Sequence, residues 1–243
     1  MLYLIGLGLN IDGISKEGME LVKRCKKIYF ENYTVDFPYS FEELQHEIGK
    51  KLIPAGREFV ESLRIIDEAK KQDVALLVYG SPLTATTHIT LLHEARSSGI
   101  KAVAIHSSSI IDAVAETGLQ IYKFGKITSM PKWQKNFNPE SFVEIVQQNE
   151  SIKAHTLILC DIGLEFQDAL EQLEISAKNK NIKLGKIVAC QKLGTRERKI
   201  FYGKILELKE RNVSNPFCLI IPGELHFTEK EFLEGFRDVS RRS

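Results

Sequence analysis

Short apolar runs alternate with amphipathic segments through the first half of the chain. Each run has the length and composition of a buried strand, and the segments between the runs place apolar residues at helical spacing. The order strand, loop, helix, strand is typical of a parallel sheet, so the first half is predicted to be an α/β domain. The predicted strands are residues 2–7, 27–31, 75–79 and 101–106.

Local capping signals set the starts of the predicted helices. Ser15 is a suitable N-cap, and Ser40 with Glu43 fits a capping box, in which side chain and backbone at the helix start satisfy each other. Apolar spacing predicts the remaining helices. The predicted helices cover residues 15–24, 40–50, 58–71 and a segment that begins at Ile89.

The second half has a different order of elements. Its last three apolar runs are joined by short connections, which favour antiparallel pairing over further parallel units. A mixed α/β sheet is therefore predicted. The predicted strands are residues 123–130, 155–161, 186–193, 199–208 and 217–222, and the predicted helices are residues 140–148 and 164–178.

The serine run at residues 107–109 marks the best candidate for a domain boundary, although one more loop between strand and helix would look the same. The predicted domains are residues 1–109 and 110–243. The basic segment 237–243 is expected to be a frayed end and not a binding arm.

Two segments with aromatic residues are candidate docking surfaces. Residues 32–39 are expected to form an exposed loop, and the segment around Trp133 is a second loop. Packing of these aromatic rings on the core, or between copies of the chain, is the competing interpretation.

Four loops at the predicted strand ends are rich in glycine and small polar residues. Small ligands bind at such edges in open α/β sheets, and GSPLTATTH is the first candidate, with an ordinary turn and helix-capping threonines as the alternative. None of the loops has the lysine and arginine cluster that a phosphate would require. A neutral or cationic ligand suits them, and S-adenosylmethionine, a sulfonium, is one candidate. The loops are residues 6–10, 80–87, 107–110 and 161–163.

The sequence motifs of dinucleotide-binding, phosphate-binding and hydrolase sites are incomplete or absent in this chain. GLGLN begins like a dinucleotide fingerprint and Glu31 stands where a ribose-binding acid would, but Ile11 occupies the third glycine position. The chain has no GxxxxGK[ST] phosphate loop. It has no GxSxG either, and Pro82 after Ser81 would disrupt a nucleophile elbow.

Composition narrows the classes of partner. Lysine plus arginine (33) nearly balances aspartate plus glutamate (32), which argues against nucleic acid or an acidic membrane as partner. The sequence shows neither a basic leader nor an apolar run of about 18 residues, so neither a signal segment nor a membrane segment is predicted. The four cysteines lack metal-binding spacing and indicate free thiols in a reducing compartment, so a cytoplasmic protein without a metal site is expected. They are Cys25, Cys160, Cys190 and Cys218.

Two polar residues at strand edges are candidates for a chemical role. His226 follows the break IPGEL after an apolar strand, and Asp161 ends the strand HTLILCD. The alternatives are a surface histidine in a turn and an acid that caps a helix.

The chain resembles the tetrapyrrole-methylase-like family of S-adenosylmethionine-dependent methyltransferases over essentially its whole length. The resemblance rests on LYLIGLGL, GSPLTATTH, HSSSI, GLQIYKFGK, HTLILCDI and IPGELH. The combination of PLxATTH with GLxIYKFGK is similar to the branch that acts on translation elongation factor 2, and differs from the branches that act on corrinoids, siroheme precursors or ribosomal RNA.

The resemblance implies a two-domain α/β fold with S-adenosylmethionine in the cleft between the domains, and a homodimer. The family usually has aspartate where Ser81 stands, valine where Thr84 stands and an aliphatic residue where Cys160 stands. Without the carboxylate, a charge-assisted hydrogen bond of about 1.5–3 kcal/mol is absent. The implied cofactor contacts are Leu9, Ser81, Thr84, Ser109, Ile110, Cys160, a residue near Leu193, and His226.

The implied reaction is methylation of the amino group on a modified histidine of elongation factor 2. Because placement in line can supply much of the rate enhancement, we predict no indispensable general base, with Asp161 and His226 at most orienting groups or proton acceptors. Two alternatives stay open: a translation-factor-binding module with weakened catalysis, and a methyltransferase of this fold with another substrate.

Overall fold

The computed structural model describes residues 1–236, so the predicted frayed end at residues 237–243 lies outside the described residues. The chain forms two compact units, Met1–Ile111 and a second unit that begins at Asp112. The predicted boundary falls between Ser109 and Ile110. No helix within residues 1–236 has the length and hydropathy of a membrane span.

The first unit contains a parallel sheet, as predicted, and helices cover both of its faces. Its strands are ordered β3-β2-β4-β1-β5, and every described pairing is parallel. The strands are β1 (Leu2–Gly6), β2 (Lys27–Glu31), β3 (Ile53–Ala55), β4 (Val74–Val78) and β5 (Ala102–Ile105). The helices are α1 (Lys16–Arg24), α2 (Phe41–Ile48), α3 (Arg57–Glu61), α4 (Arg64–Lys71), α5 (Ile89–Ser97) and α6 (Ile110–Ala113), the last crossing into the second unit.

Alternating side chains bury both faces of this sheet. Leu4 and Leu76 pack with α3, α4 and α5 on one face, whereas Ile5 and Leu77 pack with α1 and α2 on the other. Burial on both sides accounts for the continuous apolar run in β4, where every residue is buried.

The capping predictions are confirmed. The Ser15 hydroxyl accepts a hydrogen bond from the Gly18 N–H at 3.0 Å, and Ser40 and Glu43 form the reciprocal capping box of α2. Each cap satisfies backbone N–H groups that have no partner within the helix.

One prediction in this unit is wrong, and one strand was missed. The single helix over residues 58–71 is broken into α3 and α4 at Leu63, whose φ of 62° lies in the left-handed region. The missed strand is the short edge strand β3, which has Pro54 at its centre. Proline argues against a strand because it lacks a backbone N–H, but an edge strand tolerates the missing donor.

The loop at residues 32–39 is packed on the core and is not fully exposed as predicted. The Phe37 ring lies 4.8 Å from the ring of Phe30 and 5.1 Å from that of Tyr79, and Tyr39 packs at 5.5 Å from Phe37. The core-capping interpretation of this loop is therefore confirmed.

The second unit contains a mixed sheet in the order β6-β7-β10-β8-β9. The predicted antiparallel pairing of its last three strands is confirmed, and among the strands described within residues 112–236 only β6 and β7 pair in parallel. The strands are β6 (Thr128–Met130), β7 (Thr156–Cys160), β8 (Ile187–Gln191), β9 (Lys199–Gly203) and β10 (Phe217–Ile221). The helices are α7 (Ser141–Ser151), α8 (Phe166–Asn179), α9 (Ile205–Leu208) and α10 (Phe227–Glu234).

Two predicted strands of this unit are shorter than expected. Residues 121–123 form a 3₁₀ turn before β6 begins, and the predicted strand 199–208 ends at Gly203. There α9 starts, because the Glu207 carboxylate accepts the Lys204 N–H at 2.8 Å and favours a helical turn.

Candidate functional site

Three predicted ligand loops leave neighbouring strands at one edge of the first sheet. The loops follow β1, β4 and β5, which lie side by side and all run parallel. The chain leaves β1 towards β2 on one side and leaves β4 towards β5 on the other. The ends of β1 and β4 therefore form the topological switch point, where open α/β sheets bind ligands.

A pair of backbone hydrogen bonds joins the loops that follow β1 and β4. Gly8 N–H donates to the Gly80 carbonyl, and Gly80 N–H donates to the Gly8 carbonyl, both at 3.0 Å. Both residues have a φ of 70°, in the left-handed region that favours glycine. A Cβ atom on Gly6 would lie 2.6 Å from the Gly80 carbonyl oxygen, so the close approach requires glycine there too.

The predicted contacts of the first unit lie around this glycine pair. A Cβ atom on Gly80 would lie 3.9 Å from Ser109 Cα and 4.0 Å from Leu9 Cδ2, which places both residues beside Gly80. Ser81 follows directly in the chain, and Thr84 N–H donates to the Ser81 carbonyl at 3.0 Å. Leu9, Ser81 and Ser109 are buried, whereas Thr84 and Ile110, the first residue of α6, are half-buried.

Side chains that the sequence analysis gave no role of their own help to hold these loops. The Tyr79 hydroxyl donates to the Leu9 carbonyl at 3.1 Å, and the Ser107 hydroxyl donates to the Gly13 carbonyl at 2.8 Å. The Ser81 hydroxyl and His106 Nδ1 lie 3.0 Å apart. Tyr79 and His106 each follow a strand directly, and spacing alone did not predict these hydrogen bonds.

The second unit places the remaining predicted contacts at two edges of its sheet. Cys160 ends β7 and the buried Leu193 follows β8, and these strands end at the same edge because both run antiparallel to β10. His226 follows β10 and lies at the opposite edge, about 16 Å away along a five-residue strand. This unit therefore places Cys160 and Leu193 at one edge of its sheet and His226 at the other.

The Cys160 thiol is a packing group and not a nucleophile. Its side chain packs against the core of the second unit. Burial raises the pKa of the Cys160 thiol well above its usual value, so the thiol is protonated at neutral pH.

A buried carboxylate fixes the loop that carries His226. The exposed His226 begins α10, and its Nδ1 lies 2.8 Å from the Thr228 hydroxyl. Its backbone N–H donates to the Glu229 carboxylate at 2.8 Å. The Glu229 carboxylate also accepts a hydrogen bond from the Gln120 N–H at 2.9 Å, and it forms an ion pair with Lys123.

His155 completes this network. It is fully buried, its Nδ1 accepts the Gly223 N–H at 2.9 Å, and its Nε2 donates to Glu229 at 3.1 Å. Burial lowers the pKa of His155, so the ring is neutral. Burial alone would raise the pKa of Glu229, but its hydrogen bonds outweigh burial and lower that pKa to about 2.

Asp161 orients two loops of the second unit. Its carboxylate accepts the Lys132 N–H at 3.3 Å and the Ile162 N–H at 3.0 Å. It does not cap α8, whose N-cap is Glu165, so the helix-cap alternative is wrong. Within residues 1–236, no three His, Cys, Asp or Glu side chains are grouped as metal ligands.

The switch-point loops contain neither lysine nor arginine and neither aspartate nor glutamate within residues 6–10, 79–88 and 106–110. Such a site suits a neutral or cationic ligand bound by backbone, hydroxyl and apolar groups. The family model for the tetrapyrrole (corrin/porphyrin) methylases matches residues 1–209. The chain therefore belongs to the tetrapyrrole methylase family and is a methyltransferase.

Within that family, the chain is similar to diphthine synthases over nearly its whole length. It is 35% identical to the diphthine methyl ester synthase of Schizosaccharomyces pombe, over 97% of this chain and 94% of that protein. It is 36% identical to the diphthine synthase of Methanocaldococcus jannaschii, over 96% and 98% respectively. A crystal structure of a diphthine synthase superposes with a TM-score of 0.89 at 32% identity, covering 98% of this chain and 96% of that one.

Proposed function

We propose that this chain is an S-adenosylmethionine-dependent methyltransferase that methylates the amino group of the modified histidine of translation elongation factor 2. The observation that carries the proposal is the hydrogen-bonded pair Gly8 and Gly80 at the switch point, surrounded by uncharged, hydroxyl-bearing loops. The names of the relatives support the substrate. We further propose that the protein is cytoplasmic and works as a homodimer.

The residues of the first unit fit this cofactor. A side chain on Gly80 would fill the space beside Leu9 and Ser109, so the glycine leaves room for a ligand against the backbone. No cation in these loops would repel a sulfonium. The proposed contacts in this unit are Leu9, Ser81, Thr84, Ser109 and Ile110. The contacts at Cys160, Leu193 and His226 stay predictions from the resemblance.

The cofactor supplies an electrophilic methyl group on its sulfonium. The residues of the chain need to bind and orient the reacting groups and to exclude water, because an unprotonated amine is already a competent nucleophile. Placement of that kind can contribute about 7–11 kcal/mol. Asp161 fits an orienting role, because both of its carboxylate oxygens accept backbone N–H groups.

Calorimetry with S-adenosylmethionine, followed by transfer of a labelled methyl group, tests this function. We expect micromolar binding and incorporation of label into elongation factor 2 that carries the unmethylated precursor. Binding without transfer would favour a translation-factor-binding module instead. Label in a tetrapyrrole or in RNA, and none in the factor, would favour another methyltransferase of this fold.

A further inference from the structure

A buried acid and a buried histidine join β2 to the loop that follows β4. Glu31 is the last residue of β2, and His88 directly precedes α5. His88 Nε2 lies 3.2 Å from Glu31 Oε2, and both side chains are fully buried. Since β2 and β4 are neighbours in the sheet, the pair ties together two loops at the edge where the glycine pair lies.

The other nitrogen of His88 holds the loop itself. His88 Nδ1 lies 3.1 Å from the Pro82 carbonyl oxygen, and this nitrogen must carry a proton because a carbonyl only accepts. The Thr86 hydroxyl donates to the same carbonyl at 2.9 Å. Two donors therefore converge on the residue next to Ser81.

The side chains of His88 and Glu31 lie within ion-pairing distance, but neither carboxylate oxygen of Glu31 accepts a hydrogen bond. The contact that His88 Nε2 makes with the buried carboxylate is therefore electrostatic. Burial raises the pKa of Glu31, although His88, Thr34 and Arg57 favour its charged form. Apolar residues of similar volume often stabilise a fold as well as a buried ion pair does, so the pair needs an explanation other than stability.

The loop between Pro82 and His88 is strained. Ala85 has a φ of 55°, in the left-handed region that is unfavourable for a residue with a Cβ atom. Strained backbone of this kind persists where surrounding contacts fix it, and it is common at ligand sites. The hydrogen bonds to Pro82 from Thr86 and His88 enclose Ala85 and supply that fixation.

We propose that His88 and Glu31 are positioning residues for the cofactor loop: His88 fixes the Pro82 carbonyl, and Glu31 fixes the His88 ring. This inference rests on the proposed function, because it assigns the pair to the site of Ser81 and Thr84. Neither residue contacts the cofactor in this account. Their removal weakens cofactor binding and leaves the methyl-transfer step at saturating cofactor unchanged.

Glu31→Gln provides the background for the test. The Gln amide can donate to Nε2 of a neutral His88 whose Nδ1 proton still reaches Pro82, so the loop keeps its hydrogen bond. We expect the Kd for S-adenosylmethionine to stay within about threefold of wild type. This variant also removes the buried charge that a lone His88 substitution would leave unpaired.

Two substitutions of His88 in that background separate positioning from packing. In Glu31→Gln/His88→Asn, the Asn amide nitrogen occupies the position of Nδ1 and can still donate to Pro82. In Glu31→Gln/His88→Gln, the amide nitrogen occupies the position of Nε2 and cannot. We expect the Asn variant to bind S-adenosylmethionine about tenfold more tightly than the Gln variant, with equal kcat at saturating cofactor.

Glu68→Gln is the matched control at the opposite end of β2, where Glu68 pairs with Lys27 at 2.7 Å. Its Kd should equal that of wild type, and the Tm of every variant is measured alongside. Equal Kd values for the Asn and Gln variants would overturn the positioning role. A wild-type chain that binds no S-adenosylmethionine would instead overturn the proposed function, and this inference with it.

Discussion

Ser81 is the residue at which this chain differs most consequentially from the pattern of the family it resembles. Its hydroxyl is paired with His106 Nδ1, at a buried position beside the glycine pair. A serine there offers a neutral hydrogen bond, whereas the aspartate usual in the family offers a charged one. The two differ in strength by roughly a factor of two.

Ser81→Asp is expected to tighten binding of S-adenosylmethionine. A charge-assisted hydrogen bond contributes about 1.5–3 kcal/mol and a neutral one about 0.5–1.5 kcal/mol, so the gain of about 1–1.5 kcal/mol corresponds to a Kd about 5- to 12-fold lower. Calorimetry at neutral pH measures the change. Thr87→Asp, at an exposed position of the same loop, is the control and should change the Kd less than threefold, roughly. Equal effects of both variants would show a general charge effect and not a contact at residue 81.

Asp161→Ala and His226→Ala test the absence of an indispensable base. Asp161 orients backbone and His226 begins a helix, so each variant should keep measurable turnover, with kcat lowered less than about 100-fold. Methyl transfer at saturating cofactor is the measurement. Loss of all turnover in either variant, with cofactor binding intact, would contradict a mechanism that depends on placement.

Glu229 links stability to pH through its hydrogen bonds. Its pKa falls from 4.5 to about 2 in the folded chain, which corresponds to about 3 kcal/mol. The folded pKa is the lower one, so this contribution is complete above about pH 5 and is lost as the pH falls towards 2.

Glu229→Gln should therefore lower the free energy of unfolding by about 3 kcal/mol at pH 7 and by much less near pH 2. Denaturant unfolding at a series of pH values measures the difference from wild type. Glu224→Gln, which removes an exposed ion pair with Lys153, should cost less than about 1 kcal/mol at every pH. A difference for Glu229→Gln that did not change with pH would contradict the ionised, hydrogen-bonded carboxylate.

Among the structural elements, the contact between the loops after β1 and β4 depends on the absence of a side chain at Gly6. Gly6→Ala would place a Cβ atom 2.6 Å from the Gly80 carbonyl oxygen, so the two loops would have to separate. We expect a loss of about 1–3 kcal/mol in stability, together with weaker cofactor binding. Gly56→Ala is the control, because a Cβ atom there meets nothing within 4 Å and its φ is −75°.

Thermal unfolding and calorimetry measure both variants. Gly56→Ala should unfold within about 1 kcal/mol of wild type and bind the cofactor normally. Gly6→Ala with unchanged affinity would show that the paired loops are not part of the cofactor site.

Elements with strong local signals could be predicted from the sequence. The caps at Ser15 and Ser40 and the uniformly apolar β4 act over a few residues, and the structure confirms them. The break at Leu63 and the strand around Pro54 depend on tertiary packing and edge position, so no local pattern showed them.

The candidate site likewise has features that the sequence predicted and features that it did not. Glycine-rich loops at strand ends were visible in the sequence, because parallel strands bring such loops to one edge. The contacts of His88 with Glu31 and of His155 with Glu229 join residues far apart in the chain. Spacing alone could not pair them, and both pairs support loops that carry predicted cofactor contacts.

At the scale of the whole molecule, the proposed homodimer is open to direct measurement. Sedimentation velocity at micromolar concentration should give a single species of twice the monomer mass. Obligate interfaces bury about 2,000 Å² or more, so dilution to about 0.1 μM should not dissociate the species. A monomer at every concentration would contradict the dimer but leave the methyltransferase activity untouched.

Transfer of a methyl group by this chain would change the mass of elongation factor 2. Mass spectrometry of the factor tests it most directly, using factor that carries the unmethylated precursor, incubated with the chain and S-adenosylmethionine. We expect a mass increase of one or more methyl groups at the modified histidine, absent without cofactor and reduced by Gly6→Ala. An unchanged mass, with S-adenosylmethionine bound to the chain, would contradict it.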